Sequence, residues 1–207
     1  MKITFHYTFW ILAFVFLFSG LYRELFLFFA VIGLHEVGHL FFCFFFNQKV
    51  KRLNITAVGG LMEVEIKNIS AIKELLIYLS GIIINLLILG LSQYLKASYF
   101  RELLYNFNYL VIIFNLLPIY PLDGYKVAEL LVARIVNRPF REQKILFLIS
   151  TIALGGFSYY LIKIKSVAFL VLLIYLFYRN IVYHSYNNQI ALKKFIVRYK
   201  GNQTSWQ

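Results

Sequence analysis

The chain has 207 residues, of which 61% are hydrophobic, 19% aromatic and 14% charged. A soluble domain is about 45–50% apolar and about 25% charged, so the remainder cannot build a water-facing surface, and 22 Phe with 16 Tyr supply too much burial for a disordered chain. The formal charge of +12 would suggest nucleic acid in a soluble protein, but here the basic residues lie between long apolar runs, as membrane orientation produces. No nucleic-acid-binding motif accompanies the charge, so no nucleic acid is expected as a partner. The single cysteine excludes a disulfide framework.

An apolar run of about 20 residues covers the roughly 30 Å hydrocarbon core of a bilayer. Six such runs follow one another at 7–20, 25–46, 71–95, 105–119, 145–162 and 166–183. The predicted fold class is therefore an all-α integral membrane protein with six transmembrane helices over 1–183, followed by a basic tail over 184–207. The first run reads as a retained helix, because no small-x-small cleavage site precedes Arg23-Glu24. With a cytosolic N-terminus, 16 of the 21 Lys and Arg fall on the inner side. Both termini, the loop around 49–73 and the loop around 126–144 are accordingly expected in the cytosol. In the tail, Ile190, Leu192, Phe195 and Ile196 are spaced for a short helix resting on the membrane face; a solvated tail is the alternative.

The loop after the second run has strand character. Leu53 to Val58 and Leu61 to Ile66 are rich in apolar and β-branched residues, and Gly59-Gly60 between them reads as the turn of a hairpin. Alternation puts Met62, Val64 and Ile66 on one face and Glu63 and Glu65 on the other, where solvation would suffice for them.

Within the second run lies Leu34-His35-Glu36-Val37-Gly38-His39-Leu40. Each ionisable residue in a span costs about 2.5–3.5 kcal/mol on the insertion scale, so three within five positions require compensation. His35 and His39 are one helical turn apart and project from one face, where both can bind one metal ion, with Glu36 beside them as a general base. Polar contacts between helices are the structural alternative. A catalytic zinc site needs a third protein ligand and one open position.

The chain has a single aspartate, Asp123, in Asn115-Leu116-Leu117-Pro118-Ile119-Tyr120-Pro121-Leu122-Asp123-Gly124. Pro118 and Pro121 must interrupt the helix there, and broken backbone at the membrane border is tolerated where protein or a watery cavity satisfies it. The second and fourth runs share a direction, so a fold-back at 117–122 would bring Asp123 toward His39. The expected zinc ligands are His35, His39 and Asp123; capping of the following helix is the alternative for Asp123. Asn115 lies on the same helical face as Asn108, and its amide either donates to an oxyanion or bridges helices. His6 and His184 have no partner at ligand spacing and are expected at the surface or interface, and Cys43 reads as a small core residue.

These two segments resemble the motifs of the site-2 protease family of intramembrane zinc metalloproteases, peptidase family M50. His35-Glu36-Val37-Gly38-His39 is similar to H-E-x-G-H, and Asn115…Pro118…Pro121-Leu122-Asp123-Gly124 to N-x-x-P-x-x-P-x-D-G. The resemblance is nearest to the family's sporulation proteases and extends to Lys51-Arg52…Gly59-Gly60…Glu63-Val64-Glu65 and to Arg198-Tyr199-Lys200-Gly201-Asn202. It implies a site-2 protease core with zinc on His35, His39 and Asp123, Glu36 as base, and Asn115 as a substrate or oxyanion contact. It further implies a re-entrant hairpin beside the cleft, where Gly59 and Gly60 hold an extended substrate by strand addition, with Pro118 and Pro121 as further substrate-binding residues.

By the same resemblance the substrate is a membrane-associated protein, most nearly a pro-sigma factor processed during sporulation, with an anti-sigma factor as an alternative. The location is then the mother-cell membrane around the forespore, with inhibitory membrane proteins or a second copy of the chain as further partners. The family's sporulation members carry a C-terminal nucleotide-sensing CBS domain; none is expected within 1–207, which stop at about the linker. Ser80-Gly81-Ile82-Ile83-Ile84-Asn85 departs from the family's A-G-P pattern before a conserved asparagine. A metal-ion transporter or sensor is the reading from another class, since it too would place His, Glu and Asp within a bundle.

Overall fold

The computed structural model describes residues 2–56, 59–65, 69–136, 138–164, 167–186 and 189–196. In chain order they form β1 (Lys2–Phe5), α1 (Tyr7–Phe18), α2 (Tyr22–Phe45), β2 (Lys49–Thr56), β3 (Gly59–Glu65), α3 (Ala71–Ser92), α4 (Tyr99–Leu116), α5 (Asp123–Val136), α6 (Pro139–Ile164) and α7 (Val167–Ser185). These elements divide into two units, Met1–Leu116 and Leu117–Gln207.

In the first unit, α2, α3 and α4 pack on one another around Val31, Ile32 and Val111, with Phe28, Leu104 and Phe107 against them. The side chains of α2 are distributed opposite to those of a soluble helix. Phe26 and Phe44 are 76% and 83% exposed, whereas His35 and His39 are 3% and 7% exposed, with Glu36 buried beside them. Water would favour the reverse, while a bilayer makes an outer layer of Phe and Leu costless and drives ionisable groups inward. Among the described residues, α2 and α3 are each long and apolar enough to cross a membrane. The first expected run folds instead as a 12-residue α1, about 18 Å long. It is opened by His6, whose ring accepts from the Thr8 N–H as N-cap.

Helices α2 and α3 approach closely through glycine. A Cβ at Gly38 would lie 2.8 Å from the Ser80 carbonyl oxygen and 2.8 Å from Ile84 Cγ1, so a bare Cα allows the backbones to come together.

The three strands form one sheet in the order β1-β2-β3, with β1 parallel and β3 antiparallel to β2. β1 was not expected, since four residues carry too little alternation to register as a strand. The hairpin is present, but Gly59-Gly60 is not its turn. Gly59 pairs with Thr56 and Gly60 with Ile55, so both glycines begin β3. Glu65 and Glu63, expected to be solvated, reach Lys51 and Arg52 on β2 at 3.2 and 3.9 Å; the exposed Arg52–Glu63 pair contributes little. Ile66, assigned to the apolar face, lies outside the described residues, as do residues 198–202 of the tail.

In the second unit, α5 packs on α6 and α6 on α7, with Tyr125, Val132 and Leu146 at the core. The segment before α5 closes its backbone locally: the Ile119 N–H donates to Leu117 O and the Leu122 N–H to Ile119 O, both at 2.8 Å, and the Tyr120–Pro121 bond is cis. Pro118 cannot continue a helix through this segment. Burial pushes the Tyr125 phenol well above its ordinary range. His184 is not at the surface: it is 6% exposed, with ring centroids of Phe147, Tyr183 and Tyr125 at 5.0, 5.3 and 5.8 Å. Residues 189–196 are helical. They dock through a fully buried Ala191 and a 2.8 Å bond from Lys194 Nζ to Glu129 Oε1.

The close α2–α3 approach gives a direct test. Gly38→Ala must push α3 away and is expected to destabilise the protein by about 1–3 kcal/mol, read as a lowered thermal midpoint in detergent. Gly33→Ala on the same helix, where nothing lies within 4 Å, should leave that midpoint unchanged or slightly raised.

Candidate metal centre

On the buried face of α2, His35 and His39 stand one above the other because residues four apart on a helix share a face. Their Nε2 atoms are 3.2 Å apart. Each ring is held from behind by α3. His35 Nδ1 lies 2.7 Å from Asn85 Oδ1, and His39 Nδ1 lies 2.8 Å from the Ile77 carbonyl oxygen. Ser80 Oγ gives its own proton to Ile77 O at 2.7 Å, which leaves it an acceptor toward His39 Nδ1 at 3.1 Å.

A carbonyl oxygen only accepts, so both Nδ1 atoms carry the proton and both Nε2 atoms present lone pairs. Two lone pairs face to face, buried, repel unless a cation joins them. Tetrahedral zinc with bonds of about 2.0–2.1 Å would place two ligand nitrogens about 3.3–3.4 Å apart, close to the observed separation. Neutral imidazoles whose second nitrogen donates to an amide or a carbonyl are the ligand arrangement metals take in proteins.

Glycine makes the space. A Cβ on Gly81 would lie 2.5 Å from His39 Nε2, 2.5 Å from His35 Cε1 and 2.6 Å from His35 Nε2. The departure from the family's A-G-P pattern thus keeps the one residue the rings require. Glu36 points from the same turn toward the sheet, where its Oε1 accepts the Gly60 N–H at 2.7 Å. A Cβ on Gly60 would fall 2.4–2.8 Å from the three carboxylate atoms, so β3 can pass this close only as bare backbone. Gly59 has φ +136°, a conformation that favours glycine.

The remaining expected residues are found as follows. Asp123 is the first residue of α5 and is half-buried. In donor chemistry His35, His39 and Asp123 are compatible with a zinc ion. Asn115 is half-buried, and its Nδ2 donates to Val111 O on its own helix at 3.1 Å. Pro118 and Pro121 are half-buried in the interrupted segment. Sequence reasoning gave no role to Ile77, Ser80, Gly81 or Asn85. The legible signal was two polar residues and a glycine amid the Ile- and Leu-rich run of α3.

Three comparisons bear on this geometry. Residues 90–157 match peptidase family M50, a stretch that includes Asn115, Pro118, Pro121 and Asp123. The chain is 29% identical over 148 residues to stage IV sporulation protein FB of Bacillus subtilis (strain 168), covering 69% of this chain and 51% of that protein. It therefore spans about half the length of the curated relative it matches. The fold is similar to that of the site-2 protease from Methanocaldococcus jannaschii, with a TM-score of 0.63 and 19% identity over 86% of this chain and 88% of that one.

Substitution of Gly81 isolates the space between the rings. Gly81→Ala should abolish zinc binding, measured as metal content of the purified protein, because a methyl group would sit against both Nε2 atoms. Gly90→Ala on the same helix, with nothing within 4 Å, should retain the metal.

Proposed function

We propose that the chain is a member of peptidase family M50, a membrane metalloprotease of the site-2 protease type, and that it acts as an intramembrane zinc endopeptidase cleaving a membrane-associated protein near the cytosolic face. The observation that carries this reading is the pair of buried Nε2 lone pairs 3.2 Å apart, with a carboxylate from the same helical turn beside them. Neither a scaffold nor helix-packing contacts would need that arrangement. In this reading the chain crosses the membrane six times with both termini in the cytosol, and the β2–β3 hairpin re-enters the membrane beside the cleft.

His35, His39 and Asp123 would hold the ion. When bound, zinc polarises the scissile carbonyl and lowers the pKa of a coordinated water to about 7. Glu36 accepts a proton from the attacking water and delivers it to the departing amide nitrogen. The Gly60 N–H on Glu36 Oε1 holds the carboxylate in one orientation. Asn115 has a second amide N–H beyond the one given to Val111 O, and this is the donor that would face substrate or oxyanion.

A peptide bond inside a helix is shielded from attack, so the substrate must be extended. β3 is an edge of its sheet, and its open side suits strand addition; Pro118 and Pro121 are further substrate-binding residues in this reading. Stage IV sporulation protein FB is a sporulation protein by name, and its similarity favours a pro-sigma factor as the substrate, in the mother-cell membrane; an anti-sigma factor is the competing substrate.

Co-expression with tagged candidate substrates tests this. Glu36→Gln should lower cleavage by about 10²–10⁴-fold while zinc content stays at the wild-type value, because the base is lost and the ligands remain. Asp123→Asn should lose both zinc and cleavage. Full processing by Glu36→Gln would exclude the assigned base. Zinc flux into liposomes that depends on His35, without cleavage, would favour transport.

A further inference from the structure

The tautomer of His35 is set by an amide, and an amide can be turned end for end without changing its shape. Asn85 offers Oδ1 to His35 Nδ1, but rotated by half a turn it would offer an N–H instead. His35 would then have to accept at Nδ1, its proton would move to Nε2, and the ring would lose the lone pair that faces His39. Since Asn85 cannot enforce its own orientation, something behind it must.

That constraint comes from α4. Asn85 Nδ2 donates to Asn108 Oδ1 at 2.8 Å, and Asn108 Nδ2 donates to the Leu104 carbonyl oxygen at 2.7 Å. Read from the far end, every step has one direction. The Leu104 carbonyl only accepts, so Asn108 must turn its NH₂ group to it. Asn108 therefore presents oxygen to Asn85, and Asn85 must answer with nitrogen, which leaves its oxygen for the imidazole. Both asparagines are fully buried, so no water competes for these groups and a mismatched orientation would set two oxygens against each other. His39 needs no such relay, because a backbone carbonyl meets its Nδ1 directly.

We propose that Asn108 is a positioning residue of the metal centre: acting through Asn85, it holds the His35 proton on Nδ1 and so reserves Nε2 for the ion. The inference deepens the metalloprotease reading and rests on it. It also gives Asn108 a role that its helical-face relation to Asn115 alone did not suggest.

Zinc affinity of the purified full chain in detergent, measured by competition with a chromophoric chelator, tests the relay without recourse to proteolysis. Asn108→Leu keeps the branching at Cγ but removes the amide and frees Asn85 to rotate, and should weaken zinc binding by about 10–100-fold. Asn85→Asp has an acceptor at both ends, so it is indifferent to rotation. Alone it sets a carboxylate oxygen against Asn108 Oδ1, but combined with Asn108→Leu, which removes that conflict, it should return the affinity close to the wild-type value. A purely structural role for Asn108 predicts no such recovery, since the double variant adds a buried charge to a site already missing its partner. Wild-type affinity in Asn108→Leu, or failure of Asn85→Asp to restore it, would overturn the relay while leaving the metalloprotease reading intact. Absence of zinc binding by the wild-type chain would overturn both.

Discussion

Two neutral imidazoles facing each other lone pair to lone pair, 3.2 Å apart in a water-poor interior, are the constraint around which the first unit is arranged. Each ring commits its Nδ1–H to an acceptor, so the facing Nε2 atoms are left to a shared cation. The acceptors come from α3, one from a backbone carbonyl and one from a side chain. The site is thus a property of two helices held at one separation, with a third helix fixing the direction of its hydrogen bonds.

That separation depends on missing side chains. Gly38 lets α2 approach the Ser80 carbonyl, Gly81 opens the room the imidazoles fill, and Gly60 lets β3 reach the Glu36 carboxylate. In each place a single methyl group would occupy an atom of the site or its support. Interiors have little spare volume, and backbone cannot move aside as a flexible side chain can. The polar atoms and the glycines therefore form one design, in which the former carry the chemistry and the latter the distances.

The inverted burial of α2 and the helical fold were legible in sequence because both follow from local composition. Long Phe- and Leu-rich runs form helices and face lipid, and ionisable groups among them must turn inward. The hairpin was legible from its β-branched residues, yet its turn was misplaced. Gly59-Gly60 is a turn signal by composition, but the pair enters β3 because the strand must pass Glu36 without side chains, which is a tertiary demand. β1 escaped notice because its four residues gain strand geometry from pairing with β2, far along the chain. His184 was assigned to the surface for want of a partner at ligand spacing, whereas it is buried by aromatic rings from α5, α6 and its own helix.

By itself the sequence determined that His35 and His39 stand together with Glu36 beside them, since a four-residue spacing on a helix dictates a shared face whatever surrounds it. It also determined that the chain must break at Pro118 and Pro121, because a proline nitrogen has no proton to give. Tertiary structure decided which nitrogen of each imidazole faces its partner, that Asn85 and Ile77 stand behind the rings, and that β3 delivers a backbone N–H to Glu36. Those outcomes depend on contacts between segments 24 to 50 residues apart, and their hydrogen-bond directions come from packing that no local pattern encodes.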